Sequence, residues 1–271
     1  MRVKNKYNMS NFKGKTIIIT GAAMGLGYAA AEALASKGAN LTLVDYNNDS
    51  LEKAKNELKE KYPESKFLTV VADVSIEENV KKYVEETVKE FGKIDGLYNN
   101  AGIEGKQAPL IDYDIDVFKK VVDINLMGVH YGMKYVIPEL QKNGGGKIVN
   151  VASVGGIRGV LNQTAYVATK HAVAGMTKNA ALEYGKDNIL TNAIAPGAIL
   201  TPMVAEAFKQ VNPSDPKVAE KEYASRNPTR KLGDPKDVGN LVAYLLSDEN
   251  GYVSGQVIAI DGGESNMYGN S

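Results

Sequence analysis

The chain has 271 residues, a length that an α/β sheet commonly folds as one unit with a substantial core. Lys plus Arg equals Asp plus Glu at 32 each, so no net field draws the protein to nucleic acid or to anionic lipid. With no cysteine and two histidines it can build no disulfide, thiolate nucleophile or zinc–thiolate cage, and no metal site is expected.

In chain order, residues 1–12 read as a basic N-terminal tail with no apolar stretch of signal-peptide length behind it. No later run approaches the ~18 apolar residues of a membrane span, so a cytoplasmic location is expected. Short β-branched runs then alternate with longer segments of helical spacing, the pattern of a parallel sheet with crossover helices. Seven strands are predicted, over 15–20, 41–45, 67–72, 94–99, 147–152, 190–195 and 256–260.

The first strand runs straight into Gly21-Ala22-Ala23-Met24-Gly25-Leu26-Gly27 and an alanine-rich helical segment. Glycines there permit positive φ and let the backbone approach a pyrophosphate, while the free N–H groups of the helix start attract its charge. The second strand ends in Asp45, where a carboxylate can accept both hydroxyls of an adenosine ribose and repel a 2′-phosphate. Tyr46 follows it and Met24 precedes the second glycine, so no Arg or Lys stands ready for that phosphate. NAD is therefore favoured over NADP.

After Ser75, apolar residues at 76, 80, 83, 84, 88 and 91 predict a helix, with a capping box between Ser75 and Glu78 and a left-handed end at Gly92. Ser153 follows the fifth strand, where open α/β sheets place their ligands, and its hydroxyl suits a substrate oxygen. Tyr166 and Lys170 share one face of the helical segment 165–184. A free phenol titrates near 10, and the neighbouring ammonium together with an oxidised nicotinamide is expected to lower that value. Tyr62 and Lys66 repeat the spacing, but Pro63 breaks the helix there. The stretch 198–233, with its prolines and scattered charges, reads as the least regular part, an insertion over the sheet's carboxyl edge that shapes substrate choice. Asp234-Pro235 then caps and opens a helix toward 246.

On these residues the chain resembles the short-chain dehydrogenase/reductase family of about 250 residues. The family's T-G-x-x-x-G-x-G stands at 20–27, its adenine-contacting aspartate at Asp73 before Val74, its N-N-A-G at 99–102 with Asn100, Ala101 and Gly102, and its P-G-x-x-x-T at Pro196, Gly197 and Thr201. The resemblance implies an α/β, Rossmann-type, doubly wound seven-stranded parallel sheet in a single domain over 1–271. It also implies the catalytic residues Asn125, Ser153, Tyr166 and Lys170, with Asn125 holding a relay water and Lys170 the nicotinamide ribose. Ile199 and Thr201 would contact the carboxamide, and the protein would be a homotetramer joined through the helices at 114–137 and 165–184.

The strings at 99–107, 153–159 and 192–204 resemble a family member that acts on a substituted cyclohexanedione. They imply a small carbonyl or alcohol substrate, cyclic or vicinal, against an apolar wall of Ile103, Ile157, Leu161 and Met203, with Glu104 or Gln163 as polar contact. Arg158 and Arg230 are expected to form surface or loop ion pairs, and His130 and His171 to lie on helix faces. The alternatives are reduction of 3-oxoacyl thioesters, which usually goes with NADPH, and a sensor of the same fold that binds NAD without turnover.

Overall fold

A computed structural model describes residues 11–267. Seven strands form one parallel sheet: β1 Thr16–Thr20, β2 Asn40–Asp45, β3 Phe67–Val71, β4 Gly96–Asn99, β5 Gly146–Val151, β6 Ile189–Pro196 and β7 Val257–Ile260. Their order is β3-β2-β1-β4-β5-β6-β7, so the winding reverses between β1 and β4. A ligand crevice at the carboxyl ends is expected at that reversal.

The helices are α1 Gly25–Ala35, α2 Asn48–Lys61, α3 Glu77–Phe91, α4 Ile115–Val122, α5 Gly128–Lys142, α6 Thr164–Tyr184, α7 Pro202–Val211, α8 Pro216–Arg226 and α9 Pro235–Leu246. Because side chains alternate across a strand, Ile17 and Ile19 enter one core with Leu34, Leu51 and Val242, from α1, α2 and α9. Ile18 enters the other, with Tyr83, Val136 and Val173 from α3, α5 and α6. The result is the doubly wound, three-layer α/β arrangement expected from the sequence. No helix among the described residues is long and apolar enough to cross a membrane.

Several local expectations hold in atomic detail. Gly92 ends α3 at φ +79°, and the Asp234 side chain accepts from the Lys236 N–H to cap α9. Helix α2 ends at Lys61 with Tyr62 outside the helix, so Tyr62 and Lys66 share no helical face.

Others are corrected. The capping box does not form: Ser75 gives its hydroxyl and its N–H to the Asp73 carboxylate, at 2.6 and 2.9 Å, and Ile76 becomes the uncapped start of α3. Of the supposed tail, residues 1–10 lie outside the described residues, while Phe12 is fully buried against α1 with its N–H on the Lys37 carbonyl. The stretch 198–233 is mostly regular, since Pro202 and Pro216 stand at the first positions of α7 and α8, where a missing N–H breaks no helical bond, while Pro213 and Pro228 fall in the turns outside them. The helix expected over 114–137 is interrupted by one π turn, Asp123–Met127, with Asn125 inside it.

Candidate active site

The turn after β1 is shaped by missing side chains. Gly21 and Gly25 have φ of +63° and +58°, and a Cβ on Gly27 would lie 2.0 Å from the Gly21 carbonyl oxygen. No side chain caps α1 at Met24 and its first turn holds no acidic residue, which leaves the N–H groups from Gly25 through Gly27 suited to an anion. This cradle fits the pyrophosphate of a dinucleotide.

The β4 loop braces that turn. Asn100 Nδ2 donates to the Thr20 and Gly21 carbonyls at 2.9 and 3.1 Å, and the Thr20 hydroxyl accepts from the Asn100 and Ala101 N–H groups at 2.9 and 3.0 Å. The Asn100 amide group thus holds protein backbone. Below it, Asn99 Nδ2 donates to Val129 O and to Asn150 Oδ1, and Asn150 donates to Thr177. Sequence reading placed Thr20 in the glycine motif but missed its brace to the β4 loop, and it missed Asn150 and Thr177, because these links join residues far apart in the chain and only the order of the strands makes them neighbours.

Asp45 ends β2 beside the glycine turn, its carboxylate accepting from the Ala23 N–H at 3.1 Å and the Asn47 N–H at 3.2 Å. Tyr46 next to it is 78% exposed and Met24 half exposed. Val74 packs so closely on α5 that a Cβ at Gly128 would meet it at 2.9 Å.

Across the reversal, Ser153 follows β5 and Tyr166 and Lys170 come from α6. A Cβ on Gly155 would sit 3.5 Å from the Tyr166 ring, so the phenol lies over the turn that Ser153 begins. Ser153 Oγ accepts from the Gly155 N–H at 3.1 Å, which leaves the hydroxyl hydrogen available to a substrate oxygen. Lys170, 3% exposed, donates to the Val151 carbonyl at 2.7 Å, and its Nζ is 5.5 Å from the centre of the Tyr166 ring.

Burial raises the Tyr166 pKa above its usual value, the Ser153 hydroxyl works the other way, and the Glu104 carboxylate adds to the rise. Burial also pushes Lys170 down to about 8. The lysine alone therefore does not make the phenol acidic, and Tyr166 keeps its proton at neutral pH.

Asn125 is fully buried, and its amide is committed to main chain: Oδ1 accepts from the Ile103 N–H at 2.8 Å and Nδ2 donates to the Ile103 carbonyl at 2.7 Å. The side-chain amide thus holds the protein framework and fixes the loop that leads to Glu104. A Cβ on Gly102 would lie 3.1 Å from Asn125 Oδ1 and 3.6 Å from Lys170 Nζ, which places the three residues around one point.

Beyond Pro196 and Gly197, Ile199 buries its side chain and bridges to Gly233, so only its main chain is available to a ligand. Thr201 caps α7, and its methyl would touch a Cβ on Gly25 at 3.5 Å. Glu104 Oε1 accepts from Gln107 and from Gln163, and burial raises its pKa. Ile157 and Met203 are each 41% exposed, whereas Leu161 is 86% exposed and adds little to an apolar wall. Arg158 pairs with Glu264 as expected of an ion pair, but Arg230 donates to the Ser225 carbonyl instead. His130 and His171 are exposed on α5 and α6.

A family model described as enoyl-(acyl carrier protein) reductase matches residues 21–265. Levodione reductase of Leifsonia aquatica is 48% identical over 96% of this chain and 97% of its own. A crystal structure of levodione reductase superposes with a TM-score of 0.94 over 95% of this chain and 100% of that one. Cyclohexanol dehydrogenase of Acinetobacter sp. (strain SE19) is 37% identical over 94% and 96% of the two chains. The NAD+-bound structure of a xylitol dehydrogenase, 36% identical, gives a TM-score of 0.88 over 92% and 98%. The glycine cradle and the buried Tyr–Lys pair thus stand in a chain with whole-length likeness to these proteins, and the chain belongs to the short-chain dehydrogenase/reductase family, oxidoreductases that act on CH–OH groups with a nicotinamide cofactor.

Proposed function

We propose that this protein interconverts a ketone and a secondary alcohol on a compact ring, using NAD(H). The observation that carries the reading is the meeting of Ser153, Tyr166, Lys170 and Asn125 beside the glycine cradle, at the reversal of the sheet. When bound, the dinucleotide supplies or takes up the hydride.

The protein's share is orientation and proton transfer. Gly21, Met24, Gly25, Leu26 and Gly27 would take the pyrophosphate on their main chain, Asp45 the adenosine ribose with Tyr46 alongside, and Asp73 and Val74 the adenine. Asn100, Ala101, Gly102, Tyr166 and Lys170 would border the nicotinamide ribose, and Pro196, Gly197, Ile199 and Thr201 the carboxamide. In the reducing direction Tyr166, which burial keeps protonated, gives its proton to the carbonyl oxygen, while Ser153 donates a hydrogen bond to the same oxygen.

The names of the relatives support a ring substrate, since levodione reductase and cyclohexanol dehydrogenase act on six-membered rings. Ile103, Ile157 and Met203 would offer apolar contact, and Glu104 with Gln163 a polar one. The Asp45 carboxylate, aimed by two backbone N–H groups, supports NAD over NADP. A groove of about 510 Å³ between α5 and α6, lined by Met133, Ile137, Met176 and Tyr184, supports a homotetramer joined through these helices. We place this assembly in the cytoplasm.

The description of the matching family model, which names an acyl-carrier-protein thioester as substrate, favours a second reading, reduction of the keto group of a 3-oxoacyl thioester. An absorbance screen of cyclic ketones, cyclic alcohols, sugars and acyl thioesters, each with NAD(H) and NADP(H), separates the two. We expect the highest kcat/KM on a cyclic ketone with NADH; a preference for a thioester with NADPH would overturn the assignment.

A further inference from the structure

Between the catalytic edge and α8 lies a buried carboxylate that the chemistry above does not use. Glu264, in the 3-10 turn Glu264–Asn266 after β7, is only 8% exposed. Its Oε1 accepts from Tyr223 of α8 at 2.7 Å and from the guanidinium of Arg158. Arg158 stands five residues after Ser153, and its N–H returns to the Val154 carbonyl of the turn that Ser153 begins. The second oxygen, Oε2, is buried without a hydrogen-bond partner among the described residues, and a Cβ on Gly197 would meet it at 3.1 Å. One carboxylate therefore touches three segments: the turn carrying Ser153, the helical pair α7–α8, and the Pro196-Gly197 turn that leads into that pair.

The rest of the pair is held by few bonds. Phe208 of α7 stacks edge-on against Tyr223 at 5.8 Å, which joins the two helices beside the phenol that Glu264 holds. At the far side Gln210 accepts from the Gln107 N–H at 3.2 Å. Behind α8, Asn227 Nδ2 donates to the Asp261 carbonyl at 2.9 Å, at the base of the same turn. A carboxylate with one buried, unpartnered oxygen is a costly way to join loops unless its position matters.

We propose that Glu264 is a positioning residue, which through Arg158 and Tyr223 sets where α7–α8 rests over the substrate relative to Ser153. The inference depends on the reading of 198–233 as the substrate cover. Because the three side chains act as one unit, they are expected to fail as a unit.

The test compares the wild type with Glu264→Gln, Tyr223→Phe and the double variant, using full-length protein, NADH and a substituted cyclohexanone. Each single change removes or weakens a charge-assisted bond. We expect KM for the ketone to rise about tenfold in each. The double variant should be no worse than the poorer single one, with kcat and NADH affinity by calorimetry within about twofold of wild type. Unchanged KM in Tyr223→Phe, strictly multiplicative effects, or parallel losses of kcat and NADH binding would each overturn the proposal. Tyr223→Phe removes one hydroxyl from a half-buried site, so it decides the matter even where Glu264→Gln fails to fold. A wild-type protein that turns over no ketone would instead remove the functional reading beneath the proposal.

Discussion

The turn after β1 and the cluster after β5 occupy the same sheet edge, yet one is made from main chain and absent Cβ atoms and the other from buried polar side chains. In the first, contacts are so tight that a Cβ on Gly27 would overlap the Gly21 carbonyl, and ionisation plays no part. In the second, burial decides the protonation state of both key groups, raising Tyr166 and lowering Lys170 to about 8. The difference teaches that binding and proton transfer in this protein should be separable by mutation.

The largest effect tests the second region. Tyr166→Phe removes only the phenolic hydroxyl, and turnover of a cyclic ketone should fall about 100- to 10,000-fold while calorimetry finds NADH binding near that of the wild type. Loss of binding in step with turnover would erase the contrast.

Gly27→Ala probes the first region. Overpacking there costs about 1–3 kcal/mol, so NADH affinity should drop about 10- to 100-fold, with the remaining kcat at saturation little changed. Equal damage to kcat would mean that the turn also sets catalytic geometry.

Next comes the pH dependence that belongs to the second region alone. Lys170 titrates at about 8 when folded, against an ordinary value of about 10.5. Between those values the unfolded chain binds a proton that the folded chain does not, so stability rises with pH across that window. The gain, about 1–3 kcal/mol from about pH 7 to about pH 10 in urea unfolding, should be missing in Lys170→Met. Parallel curves for the two proteins would show that Lys170 is not the group responsible.

The smallest effect calibrates burial outside both regions. Tyr98 of β4 is fully buried and its hydroxyl has no partner, so Tyr98→Phe should raise stability by up to ~1 kcal/mol without touching kinetics. A destabilised variant in thermal melts would mean that the hydroxyl has an unseen role.

Much of this molecule is legible in local sequence. The strands follow from β-branched runs, and the α9 cap follows from Asp234-Pro235, because each depends on neighbours within a few positions. The failures share another cause. Ser75 offers its hydroxyl to Asp73 rather than to a helix N–H, and two acceptors within reach cannot be ranked from spacing. Pro202 and Pro216 look like breakers until it is known that they begin helices. The bonds of the Asn100 and Asn125 amides to the Thr20–Gly21 and Ile103 main chains likewise join residues too far apart for spacing to reveal.

By itself, then, the order of residues determined the parallel sheet, the glycine cradle and the Tyr166–Lys170 pairing on one helix face, since period and short-range stereochemistry specify these without knowledge of the rest. Only the tertiary structure decided that Tyr166 holds its proton, that Asn125 braces a loop, and that Glu264 links three distant segments. Those properties depend on burial and on contacts across more than a hundred residues, as between Arg158 and Glu264, and neither exists until the chain has packed.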